Sequence, residues 1–320
     1  MVGGGREAGA GWIFPGQGSQ SVGMGRSLHA GRPEARAVFE EADTVLGASL
    51  SRTIFEGPDT ALALTETTQP AILTASVAAA RVLQTEGFSP SLVAGHSLGE
   101  YSALVTAGVL RFSDAVRLVR ERGRLMQQAV PVGAGAMSAV VGLPAEAVVE
   151  ACAEAARQGG VVSAANLNSP EQTVIAGDAA AVERAGGVCK GRGARKVIPL
   201  PVSAPFHCVL MAPAAAGLAP LLAEATFSDA RVPVVTNVSA RPETSGTALR
   251  EALVAQVTAP VRWVESVRAL ASRGARLLEI GPGKVLCGLV RRINPEIETR
   301  AFGEAADLDE AKAFLQGGSS

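Results

Sequence analysis

Short apolar runs alternate with longer stretches of helical spacing along this chain, and the alternation is regular. Trp12-Ile13-Phe14 predicts a short buried strand that ends in the loop Gly16-Gln17-Gly18-Ser19-Gln20. Helical spacing follows over residues 35–45 and 69–86. Leu92-Val93-Ala94 predicts a second strand, with helices over 100–107 and 114–130 behind it. Ser113 is placed to cap the second of these, and Pro131 and Gly133 to close it. Near the end, helices over 212–225, 248–256, 261–273 and 285–293 alternate with strands over 232–237 and 277–280. Strands that alternate with helices predict a mostly parallel sheet covered on both faces.

The middle of the chain has another rhythm. Residues 136–142 alternate like a strand, 145–158 read as a helix, and 161–167 and 173–177 as two strands joined by an Asn-Ser-Pro turn. Asp178 is placed to cap a helix reaching 190, and 196–200 reads as a last strand. That β-α-β-β-α-β order is ferredoxin-like. The expected fold is therefore α/β: a large domain with an α/β-hydrolase-like core over 11–129 and 205–303, and an inserted ferredoxin-like small subdomain over 130–204. Residues 304–320 are expected to be a C-terminal tail, with loose ends at 1–11 and 316–320.

Composition narrows the class of function. Apolar residues make up 48% of the 320, enough for a sizeable core, and aromatics only 4%, which suits close helix–sheet packing. The net charge of −1, without a basic stripe, argues against a nucleic-acid partner. Cys152, Cys189, Cys208 and Cys287 fit neither zinc spacing nor a disulfide framework, so reduced thiols in a cytoplasmic protein are expected. No apolar stretch is long enough to span a membrane, and there is no signal-peptide pattern.

The chemistry centres on Gly95-His96-Ser97-Leu98-Gly99. A Gly-x-Ser-x-Gly pentapeptide between a strand and a helix is the context of a nucleophile elbow, which lifts a serine hydroxyl out of the chain beside free helix N–H groups. A serine nucleophile needs a base, and the chain has three histidines. His29 lies in a polar stretch and reads as solvated surface. His96 adjoins Ser97, where neighbouring side chains diverge, and reads as structural or substrate-contacting. His207, stiffened by Pro205, is the candidate base. A hydrolase triad would also need a carboxylate; Asp178 lies between Ser97 and His207 but reads as a helix cap. A Ser–His dyad oriented by a carbonyl or amide fits better, with a serine hydrolase or thioesterase as the rival. Gly281-Pro282-Gly283-Lys284 lacks Walker A spacing, and Gly16-Gln17-Gly18-Ser19-Gln20-Ser21 lacks the last glycine of a dinucleotide fingerprint.

Five ordered motifs carry a resemblance: Phe14-Pro15-Gly16-Gln17-Gly18-Ser19-Gln20, Gly95-His96-Ser97-Leu98-Gly99-Glu100-Tyr101, Arg122-Gly123, Pro205-Phe206-His207 and Glu279-Ile280-Gly281-Pro282-Gly283-Lys284-Val285-Leu286. From about residue 12 to 302 the chain resembles the malonyl-CoA:acyl carrier protein transacylase family of fatty acid and polyketide synthesis. The resemblance implies an S-malonyltransferase that uses no cofactor, with malonyl-CoA as donor and a carrier-protein phosphopantetheine thiol as acceptor. It implies Ser97 as nucleophile, His207 as base and acid, and the Gln17 and Leu98 amides as oxyanion hole. Arg122, which read alone is a surface arginine like Arg120 or Arg124, would bind the malonyl carboxylate. The Gln256 carbonyl would orient His207, Phe206 matches the malonyl-selective pattern, and Asn166 would help line the cleft. Ser203-Ala204-Pro205 departs slightly from the family's commonest form. Arg291 and Arg292 are candidates for a basic patch facing an acidic carrier protein, and a monomer is expected.

Overall fold

Trp12, Ile13 and Phe14 are fully buried and point alternately to two sides of a sheet. Trp12 and Phe14 enter one apolar cluster and Ile13 another. The period of two in an extended chain produces this split. It recurs at the neighbouring strands, where Val93 parts from Leu92 and Ala94, and Leu278 from Leu277. The structure, a computed structural model, describes residues 9–202, 204–274 and 276–317. Ser203 and most of the two expected loose ends lie outside the described residues.

In chain order the strands are β1 (Gly11–Phe14), β2 (Val93–Gly95), β3 (Gly135–Val141), β4 (Val162–Ser169), β5 (Gln172–Asp178), β6 (Lys196–Pro199), β7 (Val234–Val235), β8 (Pro242–Glu243), β9 (Arg276–Ile280) and β10 (Glu298–Phe302). The large sheet has the order β10-β9-β1-β2-β7-β8 and is parallel except at its β7–β8 edge. Helices Thr65–Thr85, Gly99–Thr106 and Phe112–Gln128 cover one face; Trp263–Ala271 and Val285–Ile293 cover the other. The small sheet is antiparallel with order β4-β5-β3-β6, the ferredoxin-like arrangement. The small sheet meets the large domain where Asn166 in β4 bridges to Val261: Leu167 N–H donates to Val261 O and Val261 N–H to Ala165 O, both at 2.9 Å.

Several expectations need correction. The helix expected over 114–130 spans Phe112–Gln128; Arg111 is its N-cap, so Ser113 caps nothing. Asp178 does stand at the N-cap of helix Ala179–Gly191, but its carboxylate accepts from Val161 N–H at 2.6 Å instead of capping. The strand expected over 232–237 pairs only at Val234–Val235. Residues 304–315, expected within a C-terminal tail, are structured: Glu304 and Asp307 form a capping box that leads into helix Leu308–Leu315, where Ala311 is buried and Lys312 pairs with Glu86 at 2.7 Å. His29 packs half-buried against the rings of Phe39 and Phe55. All four cysteines are buried and free. No described helix is long and apolar enough to cross a membrane.

The parallel strands deliver the loops that matter to one edge. Phe14 leads into the Gln17 loop, Gly95 into Ser97 and Val235 into Asn237, all beyond carboxyl ends of the sheet, where open α/β sheets place their ligands. Two glycines press the first loop onto the elbow. A Cβ on Gly16 would lie 2.4 Å from His96 O, and one on Gly99 2.1 Å from Phe14 O. Neither contact can relax without moving backbone, so Gly99→Ala is expected to cost about 3 kcal/mol or more, read as a fall in the denaturant midpoint at unchanged slope.

Candidate active site

Ser97 stands at the tip of the elbow in the left-handed region, φ 52°. A non-glycine residue holds that conformation only when its surroundings over-determine it. Asn237 does so from the turn after β7: its side-chain oxygen accepts Ser97 N–H at 2.7 Å and its amide donates to Gly95 O at 2.6 Å. With its own N–H so engaged, Ser97 leaves the next amide, that of Leu98, at the start of helix Gly99–Thr106 for a ligand.

His207 also has a positive φ, 60°, in the segment after the small sheet. Pro205 steers it by packing where a side chain on Gly135 would stand, 2.4 Å from the proline ring. Ser97 Oγ lies 2.7 Å from His207 Nε2, and His207 Nδ1 lies 2.9 Å from Gln256 O. A carbonyl can only accept, so Nδ1 carries the proton and Nε2 is free to accept from the serine. Burial, with the charge of Arg122 next, pushes the imidazole pKa down to about 3. His207 is therefore neutral near pH 7.

Arg122 is only 2% exposed. It lies on the apolar stripe of Phe112–Gln128 with Ala115, Val119 and Met126, whereas Arg124 pairs outward with Glu121. Its Nη1 donates to Gln69 Oε1 at 2.8 Å, and its Nη2 to Gln256 Oε1 at 2.9 Å and to Ser97 Oγ at 3.1 Å. The guanidinium carbon sits 5.8 Å from the Tyr101 ring centre. All these partners are neutral, and Nε has none.

These groups close a cavity of about 110 Å³, lined also by Gln17, Leu98, Phe206, Asn166, His96, Met126 and Met137. All eight residues expected at the site are thus brought together. His96 lines the cavity and meets Asn168 Oδ1 at 2.8 Å through Nε2. Gln69, Asn237, Glu100 and the side chain of Gln256 went unread. Gln69 sits one helical turn into Thr65–Thr85, which starts four residues before the expected 69–86. Arg291 and Arg292 are exposed and stand away from this cavity; Arg292 donates to Gln172 at 2.8 Å beside a groove that Arg195 and Lys196 also line. No cluster of metal-ligating side chains occurs among the described residues.

Comparison with known proteins identifies the family. Residues 11–295 match the model of the acyl transferase domain family. A curated relative from Salmonella typhimurium, malonyl CoA-acyl carrier protein transacylase, is 53% identical over 94% of this chain and 97% of its own length. The crystal structure of an acyl carrier protein S-malonyltransferase from Vibrio cholerae superposes with a TM-score of 0.92 at 51% identity, covering 94% of this chain and 99% of that one. A malonyl-transacylase solved with its type II polyketide synthase acyl carrier protein gives 0.93 at 49% identity, covering 97% and 100%. The chain belongs to the acyl transferase domain family, in its malonyl CoA-acyl carrier protein transacylase branch.

Proposed function

We propose that this protein carries a malonyl group from malonyl-CoA to the phosphopantetheine thiol of an acyl carrier protein, in two half-reactions through a malonyl ester on Ser97. The observation that carries the reading is a buried guanidinium 3.1 Å from the candidate nucleophile, with neutral partners only. A pocket so built favours an acyl group that brings its own negative charge. A planar guanidinium meets a carboxylate through two parallel hydrogen bonds, and a cavity of about 110 Å³ suits a short acyl chain.

In the first half-reaction Ser97 Oγ attacks the thioester carbonyl while His207 Nε2 takes the hydroxyl proton. The Gln256 carbonyl, at 2.9 Å from Nδ1, steadies the imidazolium. The Leu98 and Gln17 amides hold the oxyanion, a role worth about 2.7–4 kcal/mol per donor in related chemistry. Collapse breaks the C–S bond, and the departing thiolate takes the proton back from His207. The carrier-protein thiol then repeats the sequence in reverse on the ester. Arg122 depresses the proton affinity of His207; a malonyl carboxylate on Arg122 offsets that charge and makes the base stronger when the right substrate is bound. Phe206, against the cavity, leaves little room for a methyl branch at C2, a preference of about 1–3 kcal/mol.

Geometry favours transfer over hydrolysis. The position a triad carboxylate would occupy, at His207 Nδ1, is filled by a backbone carbonyl. The exposed Arg195, Lys196 and Arg292 offer a surface for an acidic carrier protein.

Intact-mass measurement after mixing with malonyl-CoA tests the proposal: a malonyl adduct is expected on the wild type and none on Ser97→Ala. The adduct should persist in buffer and discharge when holo carrier protein is added; spontaneous loss to water would mark a hydrolase instead. Arg122→Ala is expected to slow malonyl loading on the order of a hundredfold, since it removes a charge-assisted pair, and to leave acetyl loading far less affected. In single-turnover ester formation, wild type is expected to keep most of its rate at pH 5.5, where an ordinary imidazole is about nine-tenths protonated. A base depressed to about 3 remains neutral there; a tenfold fall centred near pH 6.5 would contradict it.

A further inference from the structure

Glu100 is fully buried three residues after the nucleophile, and the chemistry above gives it no part. Its Oε2 accepts from Gln256 Nε2 at 2.8 Å and from Asn237 N–H at 3.1 Å. Those two partners brace Ser97 from opposite sides: Asn237 through Ser97 N–H, and Gln256 through Ser97 O at 3.0 Å. The Gln256 side chain therefore lies between one donor and two acceptors. On one side stands the guanidinium of Arg122, which can only donate; on the other stand the Glu100 carboxylate and the Ser97 carbonyl, which accept.

We infer that Glu100 is a positioning residue whose carboxylate fixes which way round the Gln256 amide stands, and so holds Arg122 beside Ser97. This rests on the reading above that Arg122 receives the acyl carboxylate. Turned over, the amide would aim its NH₂ at the guanidinium and its oxygen at two other oxygens. With the carboxylate oxygen at position 100 accepting from the amide, as it does here, that arrangement is excluded. With a glutamine there it is not, because the new amide can donate to the reversed Gln256 oxygen. Arg122 would then lose the one partner that draws Nη2 towards Gln256 and be left with Gln69 and the serine hydroxyl. The backbone carbonyl of Gln256 would still hold His207, so the Ser–His pair survives.

The test is Glu100→Gln, compared with wild type for ester formation from malonyl-CoA and from acetyl-CoA, with thermal stability measured alongside. A fall of about tenfold or more in kcat/KM for malonyl-CoA, with acetyl-CoA changed by less than about threefold, is expected from the loss of one charge-assisted bond at Arg122. An unchanged malonyl-to-acetyl ratio overturns the inference, whether both rates stand or both fall with stability, since a merely structural role moves them together. A ratio that rises overturns it too, because Glu100 would then act as a competing negative charge. If wild type forms no ester from either thioester, the catalytic reading itself fails; if wild type forms both and Glu100→Gln keeps their ratio, only the positioning role falls.

Discussion

A guanidinium taken out of water must find acceptors, and most of what is specific about this site answers to that need. Arg122 sits on the apolar stripe of its helix, where hydration is gone and an unpaired charge would cost several kcal/mol. Helix Thr65–Thr85 supplies Gln69, helix Gly246–Gln256 supplies Gln256, and the elbow supplies Ser97. Three elements from distant parts of the chain are thereby held to one point. Because each acceptor is neutral, the charge is hydrogen-bonded but not cancelled. Glu100, a buried carboxylate, is hydrogen-bonded to it through the Gln256 amide.

The same need explains the electrostatic character of His207. Burial alone disfavours imidazolium, and a cation two hydrogen bonds away disfavours it further. Burial moves Glu100 the opposite way, up to about 7. The two shifts share a cause, the removal of water from a pocket that the Gln17 loop, the elbow and the 205–207 segment close together.

Much of this was legible from residue order. The Ser97 elbow follows from two glycines between a strand and a helix, and His207 from the scarcity of histidines. Arg122 could also have been placed by spacing: Ala115, Val119, Arg122 and Met126 follow the i, i+4, i+7, i+11 rule of a buried stripe, yet a charged side chain among other arginines reads as surface. Gln256 was legible through its carbonyl but not its amide, whose three partners lie more than 130 residues away in the chain. Glu100 stands beside the elbow in plain view, but burial is a tertiary fact. The errors have similar origins. Residues 304–315 are rich in charge and alanine, so a helix that docks through few apolar contacts resembles solvated chain. The turn at 237–239 and the missing N–H of Pro233 leave β7 two residues where six are expected.

The backbone bridge between Asn166 and Val261 bears on how such proteins can be recombined. A ferredoxin-like unit inserted at two points invites exchange as a cassette, cut near residues 130 and 204. Here β4 is hydrogen-bonded across the cut to a segment five residues beyond Gln256, whose carbonyl holds His207. A chimaera that imported the small sheet alone would set a foreign strand against that segment. The heritable unit of this cleft is discontinuous: a donor's small sheet has to travel with the donor's 256–263 stretch.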